Sequence, residues 1–139
     1  MNDKIESKTN TLEQWNMAAE MLGIKDKDFL GGIERCGFSL ETLSALLEIG
    51  FILFEYKCNN TPTIKVFYEF GKRAEEHGAT VEYMGFLESK YRDGASLIIE
   101  GVQVVNSLDS AALILDFSQT FHKADDFTAN AELLRAWYD

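Results

Sequence analysis

Leu97-Ile98-Ile99-Glu100-Gly101-Val102-Gln103-Val104-Val105 supports two readings that lead to different architectures. Val102, Val104 and Val105 are β-branched and favour an extended backbone. The same residues fit a helical template, with Leu97/Ile98, Gly101/Val102, Val105 and Leu108 recurring every three or four positions. Thr63 to Phe70 is ambiguous in the same way: it alternates and is rich in β-formers, but it runs on into Lys72 to Glu76, whose lysines and glutamates favour helix.

The flanking segments tip both stretches towards helix. Upstream, Leu12, Trp15, Ala19 and Leu22 share a face, and Gly23 follows as a stop. A short segment from Lys27 to Arg35 gathers Phe29, Leu30 and Ile33 and ends at Gly37. Ser39 is a good N-cap for an amphipathic helix of about four or five turns that carries Leu40, Leu43, Leu46, Leu47, Phe51 and Phe54, with Asn59 and Asn60 breaking it. Thr61 caps and Pro62 opens the next helix, which Gly78 closes. Thr80 starts a helix through Tyr91, stopped by Gly94; Asp109 or Ser110 caps one containing Leu113, Phe117 and Phe121; and a final helix spans Thr128 to Tyr138. The pattern predicts an all-α fold: a compact bundle of seven to eight short helices in one helical domain, residues 11–139, behind a flexible leader, residues 1–10. An α+β fold with short strands near 63–70 and 97–105 is the alternative.

The charge balance narrows the function. Thirteen Lys and Arg face twenty-three Asp and Glu, for a net charge of -10, and the acids fall evenly, eleven in residues 1–70 and twelve in 71–139. A surface of that sign repels phosphate backbones, so direct nucleic-acid binding is not expected, and it suits a protein partner with a basic surface. Two cysteines make no disulfide framework. The polar N-terminus has no signal-like apolar run, and no stretch is long enough to span a bilayer, so a cytoplasmic location and no membrane contact are expected.

The residues that carry chemistry do not assemble into a known pattern. His77 and His122 lie far apart, with no Cys or His at ligand spacing. Cys36 sits between Arg35 and Gly37 with Glu34 nearby, and Cys58 follows Lys57; both read as inert thiols. Gly31-Gly32 lacks the strand and lysine of a phosphate loop. Glu75 and Glu76 run into a helix end, and Glu82 and Glu88 sit six apart, so they do not form an inward carboxylate pair. No catalytic residue, metal site or cofactor is expected.

Ile33 to Leu47, IERCGFSLETLSALL, resembles a stretch of MerR-type regulators over about fifteen residues. The winged helix-turn-helix and basic residues those proteins need are missing upstream. The likeness is one of helix starts, and it implies no function here.

What remains is binding. The solvated acids Glu75, Glu76, Glu82, Glu88, Asp93, Asp125 and Asp126 and the aromatics Tyr56, Tyr68, Trp137 and Tyr138 are the candidate partner-binding residues. The expectation is a non-catalytic acidic inhibitor that occludes a basic, even nucleic-acid-binding, surface of a target protein, of the bacterial toxin-immunity or phage anti-defence kind. The alternative is a helical adaptor, chaperone or structural subunit that holds a client or itself through apolar helix faces. A homodimer is also expected.

Overall fold

The computed structural model describes residues 10–58, 60–106 and 110–139. Among these, four helices and five strands follow the order α1 (Leu12–Met21), β1 (Ile33–Ser39), α2 (Leu40–Glu48), α3 (Ile64–Glu76), β2 (Val81–Glu88), β3 (Leu97–Val104), α4 (Ala111–Phe121), β4 (Asp126–Ala129) and β5 (Leu134–Trp137). The strands form one antiparallel sheet in the order β1-β2-β3-β5-β4. The fold is therefore α+β, and the all-α bundle of seven to eight helices is overturned.

Helix boundaries follow local chemistry. Thr11 caps α1 in a reciprocal box with Gln14, Ser39 caps α2 by accepting from Thr42 N, and Ser110 caps α4 by accepting from Leu113 N. α1, α2 and α3 stop by one device. Gly23, Gly50 and Gly78 take φ of 74°, 75° and 76°, and the next residue's N–H closes back onto Ala19, Leu46 and Ala74. α2 is shorter than the expected four or five turns because Gly50 already ends it. Asn59 lies outside the described residues, as do residues 1–9 of the expected leader and residues 107–109. The leader's last position, Asn10, is tied down, donating through Nδ2 to the Phe51 carbonyl at 2.9 Å.

The strands replace four expected helices. Residues 33–39, where a helix and its glycine stop were expected, pair with β2 in unbroken register from Ile33↔Glu88 to Ser39↔Glu82. The expected helix from Thr80 to Tyr91 is β2 and its turn. Val81, Tyr83, Gly85 and Leu87 face one way and Glu82, Met84 and Phe86 the other, and Asp93-Gly94, with Gly94 at φ 65°, turns the chain into β3. Leu97–Val104 is a strand and 64–70 is helix, so the two ambiguous stretches resolve in opposite senses. The expected last helix, Thr128 to Tyr138, is a hairpin. Asn130 Oδ1 accepts from Glu132 N and Leu133 N at 2.7 and 2.9 Å, an Asx turn that reverses the chain between β4 and β5.

The helices cover one face of the sheet: α2 packs on β1 and β2, α3 on β2 and β3, α4 on β4 and β5, and α1 beside α2. Between the layers lies an aromatic core. Phe67 and Phe70 of α3 meet Phe117 and Phe121 of α4, and Tyr83 of β2 reaches up to donate to the Phe67 carbonyl at 2.7 Å. Most aromatics between residues 51 and 70 belong to this interior: Phe51, Tyr56, Phe67 and Phe70 are buried, Tyr68 is half-buried and Phe54 is exposed.

One polar tie joins two of the helices. Arg73 of α3 donates through Nε and Nη2 to both oxygens of Asp116 on α4, at 2.8 and 3.0 Å, and Thr120 Oγ1 donates to the same carboxylate at 3.0 Å. Burial opposes the charged form of Asp116, but these hydrogen bonds and the Arg73 charge outweigh it, so its pKa lies below the ordinary 3.8. A carboxyl that is more acidic folded than unfolded adds stability that is complete above its unfolded pKa and is lost as pH falls through its folded one. Asp116→Asn is expected to cost about 1 kcal/mol at neutral pH. The gap to the wild type should close as pH is taken down through the carboxylate range, which denaturant unfolding across that range checks.

Candidate functional site

The side of the sheet turned away from the helices carries the most distinctive surface. Strand alternation places Arg35 and Gly37 of β1 there, with Glu82, Met84 and Phe86 of β2. The skipped position opposite Met84/Gly85 adds Glu100 and Gly101 of β3, followed by Gln103. Arg135 and Trp137 of β5 and Asp126 of β4 complete the face.

Glycines shape its centre. A Cβ on Gly101 would stand 2.8 Å from Trp137 Cε3 and 3.2 Å from Met84 Cε, so only glycine lets these two side chains lie across β3. Gly37 leaves the neighbouring strand bare. The result is an open hollow of about 360 Å³ lined by Arg35, Cys36, Gly37, Met84, Gly85 and Trp137. Met84, Phe86 and Trp137 are each half-buried.

Charged groups frame this apolar centre in pairs. Arg35 Nη1 bonds Glu100 Oε1 at 2.6 Å with its guanidinium 5.9 Å from the Phe86 ring centre. Arg135 Nη1 bonds Asp126 Oδ2 at 2.8 Å with its guanidinium 5.5 Å from Trp137. Gln103 donates to Glu82 at 3.0 Å. Such exposed pairs contribute roughly 0–1 kcal/mol each. Their effect is to hold two arginine planes beside two aromatic rings. An apolar centre with Trp, Met and Arg inside a polar rim has the make-up of a protein-contact surface.

The eleven expected contact residues are scattered by the fold. Glu82, Asp126 and Trp137 come together on this face. Glu75 and Glu76 are exposed at the end of α3, and Asp93 is exposed in the β2–β3 turn. Asp125 is exposed near the C-terminus, where its carboxylate accepts from Asp139 N at 2.8 Å. Tyr68 is half-buried, edge-on to Phe54. Glu88, Tyr56 and Tyr138 are buried and have little surface to offer. Glu88 accepts from Ser96 N at 3.0 Å, and Tyr138 packs on Phe67, where burial pushes its hydroxyl up to about 12. Arg35, Gly37, Met84, Phe86 and Gly101 were not expected at a site. The clue to Met84 and Phe86 was the period-two alternation of residues 81–88.

Chemistry finds few footholds. Burial and the nearby Glu34 carboxylate push the Cys36 thiol up to about 11, so at neutral pH it stays protonated and weakly nucleophilic. Ser110 Oγ lies 3.5 Å from His77 Nδ1 but is engaged as a helix cap, and the nearby Asp116 carboxylate is held by Arg73. That neighbourhood therefore lacks the base–orienter hydrogen bond of an activated nucleophile. Lys90 and Arg92 flank a smaller hollow of about 190 Å³ beside Trp15, but Asp28 pairs with Lys90 at 2.6 Å and Glu88 lies 3.7 Å from Arg92. Among the described residues no three His, Cys, Asp or Glu side chains converge to hold a metal, and no helix is long and apolar enough to cross a membrane. No protein-family model matches the chain, and neither does any curated protein or any solved structure.

Proposed function

We propose that this protein works by contact alone, binding a partner protein with a basic surface through the helix-free face of its sheet. It acts there as an acidic inhibitor that covers the partner's basic, nucleic-acid-binding surface, as toxin-immunity and phage anti-defence proteins do. The reading places it in the cytoplasm, where Cys36 and Cys58 remain free thiols. One observation carries the reading: Trp137, Met84 and Phe86 lie half-exposed around a glycine-floored hollow, with Glu82, Glu100 and Asp126 around them, in a chain of net charge -10. The charge speeds encounter with a basic partner, and the aromatic anchors hold the complex once formed.

The test is capture of a partner by the wild type and by Trp137→Ala, followed by binding kinetics on the purified pair. Trp137→Ala is expected to weaken binding about 30-fold or more, the size of a central hot spot, while circular dichroism and the unfolding midpoint stay close to the wild type. Association should slow steeply as salt rises from low to physiological levels. A captured partner without a basic surface, or one held equally well by Trp137→Ala, would sink the proposal.

A further inference from the structure

Strand β1 is the long edge of the sheet, and the backbone groups on its outer side are unspent. Ser89 N–H donates to the Gly32 carbonyl at 2.9 Å, so Gly32 and Ser89 face each other as a bonded pair at the mouth of the β1–β2 ladder. Bonded and non-bonded pairs alternate along an antiparallel ladder. Glu34, Cys36 and Phe38 therefore spend their backbone groups on β2, and Ile33, Arg35 and Gly37 turn theirs outward. Among the described residues no hydrogen bond takes up those outward groups. Ile33, Glu34, Arg35, Gly37 and Ser39 are all exposed. Proteins usually blunt such an edge with proline, a bulge or brevity. The opposite edge, β4, is four residues long and opens on Asp125-Asp126. β1 has seven residues, no proline and an unbroken register.

Charge and shape on the two sides of β1 describe the strand that would fit. On the helix side, Glu34 is exposed, and among the described residues no cation pairs with it. It occupies a position where, across the outer edge, the side chains of facing strands come closest. On the open side, Gly37 has no side chain, and an added Cβ there would find no atom nearer than 3.7 Å. The space above it runs into the hollow bounded by Met84 and Trp137. A second copy fits poorly. The register that engages Ile33, Arg35 and Gly37 together is centred on Arg35 and sets that guanidinium against its twin, between two bodies of net charge -10.

We propose that β1 accepts an extended segment of the basic partner as a sixth strand, with a lysine or arginine opposite Glu34 and an apolar side chain opposite Gly37. The proposal rests on the protein-binding reading above and adds the mode of recognition: main-chain pairing supplies affinity and the alternate side chains supply selectivity.

A blocked nine-residue peptide alternating valine and lysine, titrated into the isotope-labelled full chain, tests it. At saturation the amide exchange of Ile33, Arg35 and Gly37 is expected to slow at least tenfold, while Glu34 and Cys36, already bonded to β2, change little. Glu34→Lys should weaken the peptide about tenfold. So should Gly37→Pro, which removes an outward N–H and none of those bonded to β2. A peptide that shifts the Trp137 indole but leaves the three amides exchanging freely would overturn the sixth strand and leave the protein-binding reading standing. Protection that appears with rising protein concentration and no peptide would overturn it in favour of a second copy. No response anywhere also overturns it, and the Trp137→Ala capture then judges the broader reading separately.

Discussion

Gly85→Ala is expected to destabilise the protein by about 3 kcal/mol or more, a large share of the roughly 5–15 kcal/mol that holds such a domain together. Gly85 sits in β2, opposite Ile99, where the β2–β3 register skips a residue. A methyl group there would overlap the Ile98 carbonyl oxygen and come within 3.0 Å of its carbon and 3.1 Å of Ile99 Cα. These are backbone atoms of the neighbouring strand, so no side chain can swing aside. The two strands would have to part, and they join β1 to the rest of the sheet. Gly37→Ala is the matched control. It adds the same methyl group to the adjacent strand, finds nothing nearer than 3.7 Å, and should change stability by no more than about 0.5 kcal/mol. The two denaturant midpoints, read with unchanged slopes, check the pair.

Phe67→Ala should cost about 3–5 kcal/mol, the range for truncating a buried phenylalanine. Phe67 is fully buried where three elements meet. Its ring stacks on Phe121 of α4 at 5.6 Å and stands edge-to-face with Tyr83 of β2 at 6.1 Å and Tyr138 at 6.4 Å. These neighbours are held by their own backbones and cannot collapse into the space, so a cavity term adds to the lost transfer energy. The next residue, Tyr68, is half-buried and touches Phe54, so Tyr68→Ala should cost far less. Because Phe67 and Phe121 share the same space, a double-mutant cycle should show coupling of about 0.5–3 kcal/mol. Simple additivity of the two losses would mean that the rings do not form one packed unit.

The legible parts of the chain were those written in local chemistry. Thr11 with Gln14, Ser110 with Leu113, and the glycines at 23 and 78 satisfy or terminate backbone groups within a few residues, so α1, α3 and α4 appear near their expected places. The strands were illegible for the converse reason. Val81, Met84 and Leu87 satisfy a helical spacing as well as Val81, Tyr83 and Leu87 satisfy an extended one, and residues 33–39 hold too few apolar side chains to alternate visibly. Turn signals were the better guide. Asp93-Gly94 and Asn130 mark the two hairpins, and weighing them above the helical spacing points to strands on either side.

At the site, Trp137, Glu82 and Asp126 could be picked out by residue type, because a large aromatic and solvated acids are suspect wherever they fall. Met84, Phe86, Arg35 and Gly37 could not, since each is unremarkable until the sheet sets them side by side.

Composition, charge, the ends of most helices and the absence of a familiar catalytic motif can all be read from residues within a few positions of one another. Whether residues 97–104 would extend while 64–70 coiled was settled by partners far away in the chain. β3 finds β2 on one side and β5 on the other, whereas Phe67 and Phe70 find α4 and the underside of the sheet. An isolated strand leaves its backbone groups without partners, so its stability exists only after distant segments have met, and no local pattern can register that gain.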